Sequence, residues 1–213
     1  MELLKQLADL FLHLDQHLSR VIAEYGVWTY LILFVIVFCE TGLVVTPFLP
    51  GDSLLFAAGS FAALGALDVW LVTGLLLVAA ILGDTVNYWV GAAIGPRAFT
   101  GEVPFLKQEH LDRTHAFYER YGGMTIILAR FVPIVRTFAP FVAGVGTMSY
   151  PKFLLYNVVG AVLWVGLLVF AGYFFGSIPV VRDNFTLVVL AIVGLSVLPM
   201  AVEAIRGWRR RPA

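Results

Sequence analysis

The chain has 213 residues, of which 60% are hydrophobic and only 13% are charged, and its mean hydropathy is +0.89. These values lie outside the range of ordinary soluble domains and indicate an integral membrane protein. We expect it to be all-α, with a single membrane domain, 1–213. Fourteen basic residues balance fourteen acidic ones, so the net charge is zero. This balance argues against a nucleic-acid-binding surface.

The first segment, 1–25, has apolar residues at helical spacing with polar residues between them. This pattern predicts an amphipathic helix that lies on the membrane interface.

The next apolar segment, 27–66, is interrupted by a turn that contains Pro47, Pro50 and Gly51. Proline donates no backbone hydrogen bond and clashes with the preceding turn, so one helix should end there. Asp52 is then well placed to act as the N-cap of a second helix. A helix, loop and helix within one apolar segment predict a re-entrant hairpin, because irregular backbone at membrane depth must be buried or line a wet cavity.

The remaining segments follow in chain order. Three are apolar and long enough to span a bilayer, which takes about 20 residues: 69–94, 152–177 and 185–205. A second broken segment, interrupted by Arg130, Pro133, Arg136 and Pro140, predicts a second re-entrant hairpin over 123–148. Two polar segments are a predicted cytoplasmic stretch, 96–121, and a basic tail, 206–213.

The order of segments predicts two repeats, 1–94 and 102–177, followed by a C-terminal transmembrane helix. The basic tail should lie in the cytoplasm. Counting back across the spans makes the two hairpins enter from opposite faces, which gives inverted topology. Alternatively, residues 27–45 span the membrane once, which would place the N-terminus in the cytoplasm.

Four charges lie inside these apolar hairpins: Glu40, Asp52, Arg130 and Arg136. A charge at the centre of a membrane helix costs about 2.5–3.5 kcal/mol, so such residues mark a functional site by default. The planar fork of arginine suits phosphate, which makes Arg130 and Arg136 candidate phosphate ligands. A break at Pro133 would let both point into one cavity.

The acids have separate interpretations. Desolvation of Glu40 favours its protonated form, so Glu40 is a candidate proton carrier. Asp52 could carry protons too, or act only as a helix cap. The competing interpretation of all four charges is a structural network in which the arginines pair with Glu40 and Asp52.

Further residues are expected to support the cavity or the hairpins. Asp84, Asn87 and Tyr88 on the first long helix are predicted to line the interior, and the glycines to allow close helix packing. The full supporting set comprises Pro47, Pro50, Gly51, Ser53, Asp84, Asn87, Tyr88, Pro133, Pro140 and Gly144.

No enzyme motif is found in the sequence. A nucleophile elbow, a Walker loop and a dinucleotide fingerprint are absent, and the histidines lack partners at metal-ligand spacing. We therefore expect neither an enzyme nor a bound metal or cofactor.

The segments 38–53 (FCETGLVVTPFLPGDS) and 129–144 (ARFVPIVRTFAPFVAG) resemble the DedA family, also described as SNARE-associated or VTT-domain proteins. The resemblance spans nearly the whole chain. It implies a multi-pass protein of the bacterial inner membrane with two inverted re-entrant hairpins. The family's important acids and arginines fall on Glu40, Asp52, Arg130 and Arg136.

The resemblance also implies movement of lipid headgroups across the bilayer, assisted by the proton gradient. Undecaprenyl phosphate is the leading substrate, and phosphatidylethanolamine or another phospholipid, flipped or scrambled, is the alternative. The residues leave two further functions open, a proton-coupled transporter of a small ion and a non-transporting assembly protein. The expected partners are a membrane lipid and protons, and the oligomeric state, for which a homodimer is one option, is left open.

Overall fold

The computed structural model describes residues 14–43, 51–95, 114–115, 118–184, 187–188, 190–192 and 194. Within these ranges every regular element is helical. The α-helices are α1 (Leu14–Tyr25), α2 (Trp28–Gly42), α3 (Gly51–Ala63), α4 (Val69–Ile94), α5 (Thr125–Ala129), α6 (Pro133–Val142), α7 (Tyr150–Phe175) and α8 (Pro179–Asp183). A short 3-10 helix, Gly122–Met124, precedes α5, and a π-helical turn, Ala143–Thr147, follows α6.

Helices α4 and α7 are the two described helices that are long and apolar enough to cross a membrane. Each has 26 residues. At a rise of 1.5 Å per residue each is about 39 Å long, which exceeds the hydrocarbon thickness of a bilayer. These helices coincide with the predicted spans 69–94 and, shifted by two residues, 152–177. The predicted third span, 185–205, lies mostly outside the described residues.

The chain forms two compact units. The first comprises Met1–Val37, Pro50–Ala79 and Val165–Leu195, and the second comprises Phe38–Leu49, Ala80–Trp164 and Ser196–Ala213.

In the first unit, α3 packs tightly against the C-terminal part of α7. A Cβ atom on Gly172 would come within 3.1 Å of Phe56 Cα, and one on Gly59 would come within 2.8 Å of the Val169 carbonyl carbon. The Ser60 hydroxyl donates a hydrogen bond to the Gly172 carbonyl (3.2 Å). Small residues thus let the two backbones approach closely.

In the second unit, α6 and the π-helical turn pack in the same way against the C-terminal part of α4. A Cβ atom on Gly91 would come within 3.1 Å of Phe141 Cα, and one on Gly144 would come within 2.8 Å of the Ala92 nitrogen. The expectation that glycines allow close packing is confirmed at these positions.

Two glycines of α4 make a matched pair for testing this packing. We expect Gly91→Ala to destabilise the protein by about 1–3 kcal/mol, because the new methyl group overlaps the Phe141 backbone. A methyl group on Gly74 meets nothing within 4 Å. Gly74→Ala should therefore be neutral or stabilise by about 0.5–1 kcal/mol. Unfolding by SDS in mixed micelles measures both, and equal effects would contradict the packing.

Candidate functional site

Four charged side chains lie buried in the second unit, and we call them the charge cluster: Glu40, Asp84, Arg130 and Arg136. Their exposed fractions are 3%, 2%, 2% and 8%. Two acids and two bases give the cluster a formal charge of zero. Burial of charged groups is tolerated only when they are paired and hydrogen-bonded, and the cluster meets this requirement as two ion pairs.

A break between α5 and α6 brings the two arginines together. Arg130 follows the last residue of α5, Val132 has extended backbone (φ −125°, ψ 103°), and Pro133 is the first residue of α6. Arg136 lies in the first turn of α6, where its N–H bonds the Val132 carbonyl (2.8 Å). The predicted interruption at Pro133 is therefore present.

Both guanidinium groups lie over one indole ring, that of Trp164 on α7. The Cζ atom of Arg130 is 5.7 Å from the ring centroid and that of Arg136 is 5.1 Å away. Cation–π attraction strengthens when the partners are desolvated, and Trp164 is 1% exposed. Trp164 is thus a shared support for two buried cations.

Arg130 is held by one nitrogen. Its Nη2 donates to Asp84 Oδ2 (2.6 Å) and to Asn157 Oδ1 (2.6 Å). The Asn157 Nδ2 group donates to the Ile81 carbonyl (3.1 Å), which orients the amide oxygen towards the arginine.

The rest of the Arg130 fork is unused. Arg130 Nε and Nη1 are buried and have no hydrogen-bond partner among the described residues, and the same holds for Asp84 Oδ1 and Asn87 Oδ1. Buried polar atoms are nearly always satisfied, so these atoms have capacity for water or a ligand. The donors of Arg130 are suited to an anion.

The second pair joins Arg136 Nη2 to Glu40 Oε1. Its hydrogen bond is charge-assisted and buried. The network considered from the sequence paired the arginines with Glu40 and Asp52; its pair of Arg136 with Glu40 is present, and Arg130 pairs with Asp84, which the sequence did not suggest. Asp52 belongs to the first unit and is half-buried in the first turn of α3, inside the described helix rather than before it.

Asn87 and Tyr88 tie the surrounding elements together. Asn87 Nδ2 donates to the carbonyls of Thr41 (3.3 Å) and Thr137 (2.8 Å), which links α2 and α6 to α4. The Tyr88 hydroxyl donates to the Met148 carbonyl (2.9 Å). The Tyr88 ring stacks on the Phe153 ring, with the two ring centroids 4.6 Å apart. Both side chains are buried, as predicted for residues that line the interior.

The other predicted supporting residues are distributed over both units. Gly51 and Ser53 are buried on α3 in the first unit, and Pro47 and Pro50 lie outside the described residues. Pro140 was expected to interrupt the second hairpin. It instead lies within the continuous helix α6. Residues 135–144 are all buried, so packing outweighs the one backbone hydrogen bond that proline forfeits.

Sequence reasoning missed Asn157 and Trp164. Asn157 is a fully buried polar residue in a long apolar helix, which is the same signal that singled out Glu40. No comparable signal marks Trp164, because a tryptophan in such a helix is ordinary core or interface composition.

The partly buried Tyr118, in the segment 118–121, is a neighbour of the charge cluster. Its hydroxyl donates to the Ala139 carbonyl (2.9 Å). Burial raises the pKa of Tyr118 above its ordinary value, and the nearby Asp84 and Tyr88 add to this effect. Tyr118 is therefore a neutral neighbour of the charges.

Comparison with known proteins identifies the family. The VTT domain matches residues 49–174. Protein DedA of Escherichia coli is 57% identical over 212 residues, 98% of this chain and 97% of the relative. An uncharacterised membrane protein of Mycobacterium tuberculosis is 47% identical over 182 residues (84% and 80%), and Inner membrane protein YqjA of Escherichia coli is 37% identical over 152 (71% and 69%). No solved structure matches the chain. The chain belongs to the DedA family of VTT-domain membrane proteins.

Proposed function

We propose that this protein transports a phosphate-bearing lipid, such as undecaprenyl phosphate, across the bacterial inner membrane with the help of the proton gradient. The observation that carries the proposal is Arg130, a buried arginine with two nitrogens that lack hydrogen-bond partners among the described residues. Arg136 lies over the same indole ring. Two adjacent guanidinium groups offer several donors to one phosphate.

Proton uptake would balance the negative charge that a bound phosphate brings into the cluster. The charge cluster is neutral, whereas a phosphate monoester carries about −1.5 to −2 charges at neutral pH. Its binding would leave a negative excess in a buried site, which is costly. Glu40 neighbours Arg136 and would relieve part of the excess by taking up a proton when the phosphate displaces it. Asp52 remains a candidate for the same exchange.

The proposed architecture has inverted repeats, two re-entrant hairpins, several membrane crossings and a cytoplasmic C-terminus. The matching packing within the two units supports the repeats. Phe56 and Gly59 on α3 correspond to Phe141 and Gly144, 85 residues later. Their contacts on the long helices, Val169 with Gly172 and Tyr88 with Gly91, are 81 residues apart. Inverted repeats are a common basis of transporter folds.

Two other phosphate-bearing substrates fit the same groups. A phospholipid such as phosphatidylethanolamine carries a phosphodiester, and a soluble phosphate ion would suit a cluster whose four side chains are nearly inaccessible from outside. The lipid alternatives also require a path for the hydrocarbon tail beside the headgroup.

The test is a flipping assay in proteoliposomes that contain undecaprenyl phosphate, with separate vesicles for phosphatidylethanolamine and for uptake of inorganic phosphate. We expect the wild type to flip the polyprenyl phosphate faster when a proton gradient is imposed. Arg136→Ala and Glu40→Gln should each lower the rate at least about tenfold, as loss of one charged contact of about 1.4 kcal/mol or more would.

Arg120→Ala is the matched control, because Arg120 is an exposed arginine that lies over the Tyr121 ring. It should keep the wild-type rate. Unchanged flipping in both Arg136→Ala and Glu40→Gln would rule out the mechanism. If the protein transports inorganic phosphate and neither lipid, its substrate is a soluble ion.

A further inference from the structure

Asp84 occupies part of the hydrogen-bonding surface that Arg130 would offer to a phosphate. Its Oδ2 atom accepts from Arg130 Nη2 at 2.6 Å, and its side chain is buried. The second oxygen, Oδ1, has no hydrogen-bond partner among the described residues. Asp84 is therefore held chiefly by one contact to a single cation.

The two ion pairs differ in how they could respond to phosphate. Glu40 faces Arg136, and Asp84 faces Arg130. A phosphate that binds both arginines, including through Nε and Nη1 of Arg130, competes with the two carboxylates for the positive charge of the arginines, and its own negative charge repels them. A displaced carboxylate that stays buried without its cation is strongly disfavoured unless it becomes protonated.

We infer that Asp84 is a second proton-exchanging residue, which neutralises Arg130 in the empty site, yields to the substrate phosphate and takes up a proton as it does so. This inference rests on the proposed function, in which Glu40 is the other exchanging acid. In this step one proton passes from a buffer acid or hydronium ion to an Asp84 carboxylate oxygen, so that one O–H bond forms as another breaks in the donor, and no bond to carbon or phosphorus changes. Asp84 thus acts through Arg130, as a positioning and coupling residue.

The arginines and Tyr118 near Asp84 do not take up this proton. The arginines stay charged, and the Tyr118 phenol is already neutral. Asn157, on α7, is a neutral amide. Among the residues that the structure describes, the charged or titratable groups near Asp84 are Arg130 after α5, Arg136 on α6 with its partner Glu40 on α2, Tyr88 on α4 and Tyr118 in the segment 118–121.

The inference predicts how many protons accompany phosphate binding. Farnesyl monophosphate is titrated into the purified full-length protein in detergent at pH 8, by calorimetry in two buffers with different heats of ionisation. The wild type should take up about two protons for each phosphate bound, and Asp84→Asn about one. Asparagine keeps the shape of the side chain and can still accept from Arg130.

Asp68→Asn is the matched control. Asp68 is an exposed acid that caps the same helix, accepting from the Leu71 N–H at 2.8 Å, and it lies outside the charge cluster. Its variant should take up about two protons, as the wild type does.

A second readout is the pH dependence of affinity. Between pH 7.5 and 9 the phosphate monoester remains a dianion, because its second pKa is about 6. The affinity of the wild type should fall more steeply as pH rises than that of Asp84→Asn, by about an extra tenfold per pH unit. A purely structural role for Asp84 would leave this slope unchanged. The wild-type measurement tests the inference even if Asp84→Asn does not fold. Uptake of one proton or fewer per phosphate by the wild type would overturn the inference.

The outcomes separate this inference from the proposed function. Equal proton uptake by the wild type and Asp84→Asn, with lipid flipping intact, would overturn the role of Asp84 and leave the transporter standing. Absence of binding by farnesyl monophosphate and by inorganic phosphate would overturn both. If inorganic phosphate binds as tightly with the same difference in uptake, the exchange at Asp84 is supported and the ligand is a free phosphate.

Discussion

Replacing Arg136 alone by alanine is expected to destabilise the protein by about 3–5 kcal/mol, because Glu40 would remain buried without its cation. Glu40→Ala should have a similar effect for the converse reason. Both side chains lie in the second unit, where α2 ends and α6 begins. Losing either charge should therefore loosen both helices.

Replacing both charges together should be far less harmful. The double variant Glu40→Gln with Arg136→Gln leaves no uncompensated charge, and its two amides can bond each other. The free energy of unfolding, measured by SDS titration in mixed micelles, should change less in the double variant than in either alanine variant. If the effects of the single variants Glu40→Gln and Arg136→Gln simply add in the double variant, the pair does not interact.

Trp164→Ala is expected to cost about 3–5 kcal/mol, since it removes a large, fully buried ring. It should also misplace both guanidinium groups, because each lies over this ring. Trp164→Phe keeps an aromatic face and should retain more of the stability and of the lipid-flipping rate.

The control for this substitution is Trp28→Ala, at a position on α2 that is 67% exposed. Its effect on the free energy of unfolding should stay within about 0.5 kcal/mol. If Trp164→Leu flips lipid as fast as Trp164→Phe at equal stability, the aromatic face has no part in holding the arginines.

The helices and the break near Arg130 could be predicted from local features of the sequence. The apolar stretch 69–94 has both the length and composition of a spanning helix, and it coincides with α4. Pro133 stops α5 from continuing and begins α6, as the chemistry of proline dictates. The burial of Glu40, Arg130 and Arg136 also followed from their apolar surroundings.

The pairing within the charge cluster could not be predicted in this way. Asp84 is 46 residues from Arg130 in the chain, and only the packing of α4 against the segment between α5 and α6 brings them together. Asp52 and Asp84 are similar sequence features, each an acid within an apolar stretch, so the sequence alone does not mark Asp84 as the partner of Arg130. Pro140 is tolerated inside α6 because its tertiary burial outweighs the low helix propensity of proline.

The central claim is that Arg130 and Arg136 together carry a lipid phosphate. Its most direct test is the rate at which the Glu40→Gln, Arg136→Gln double variant flips undecaprenyl phosphate in proteoliposomes, because this variant should stay folded while lacking one phosphate ligand. We predict a loss of at least about a hundredfold, which corresponds to about 2.7 kcal/mol of lost interaction with the phosphate. A folded double variant that flips the lipid at the wild-type rate would contradict the account.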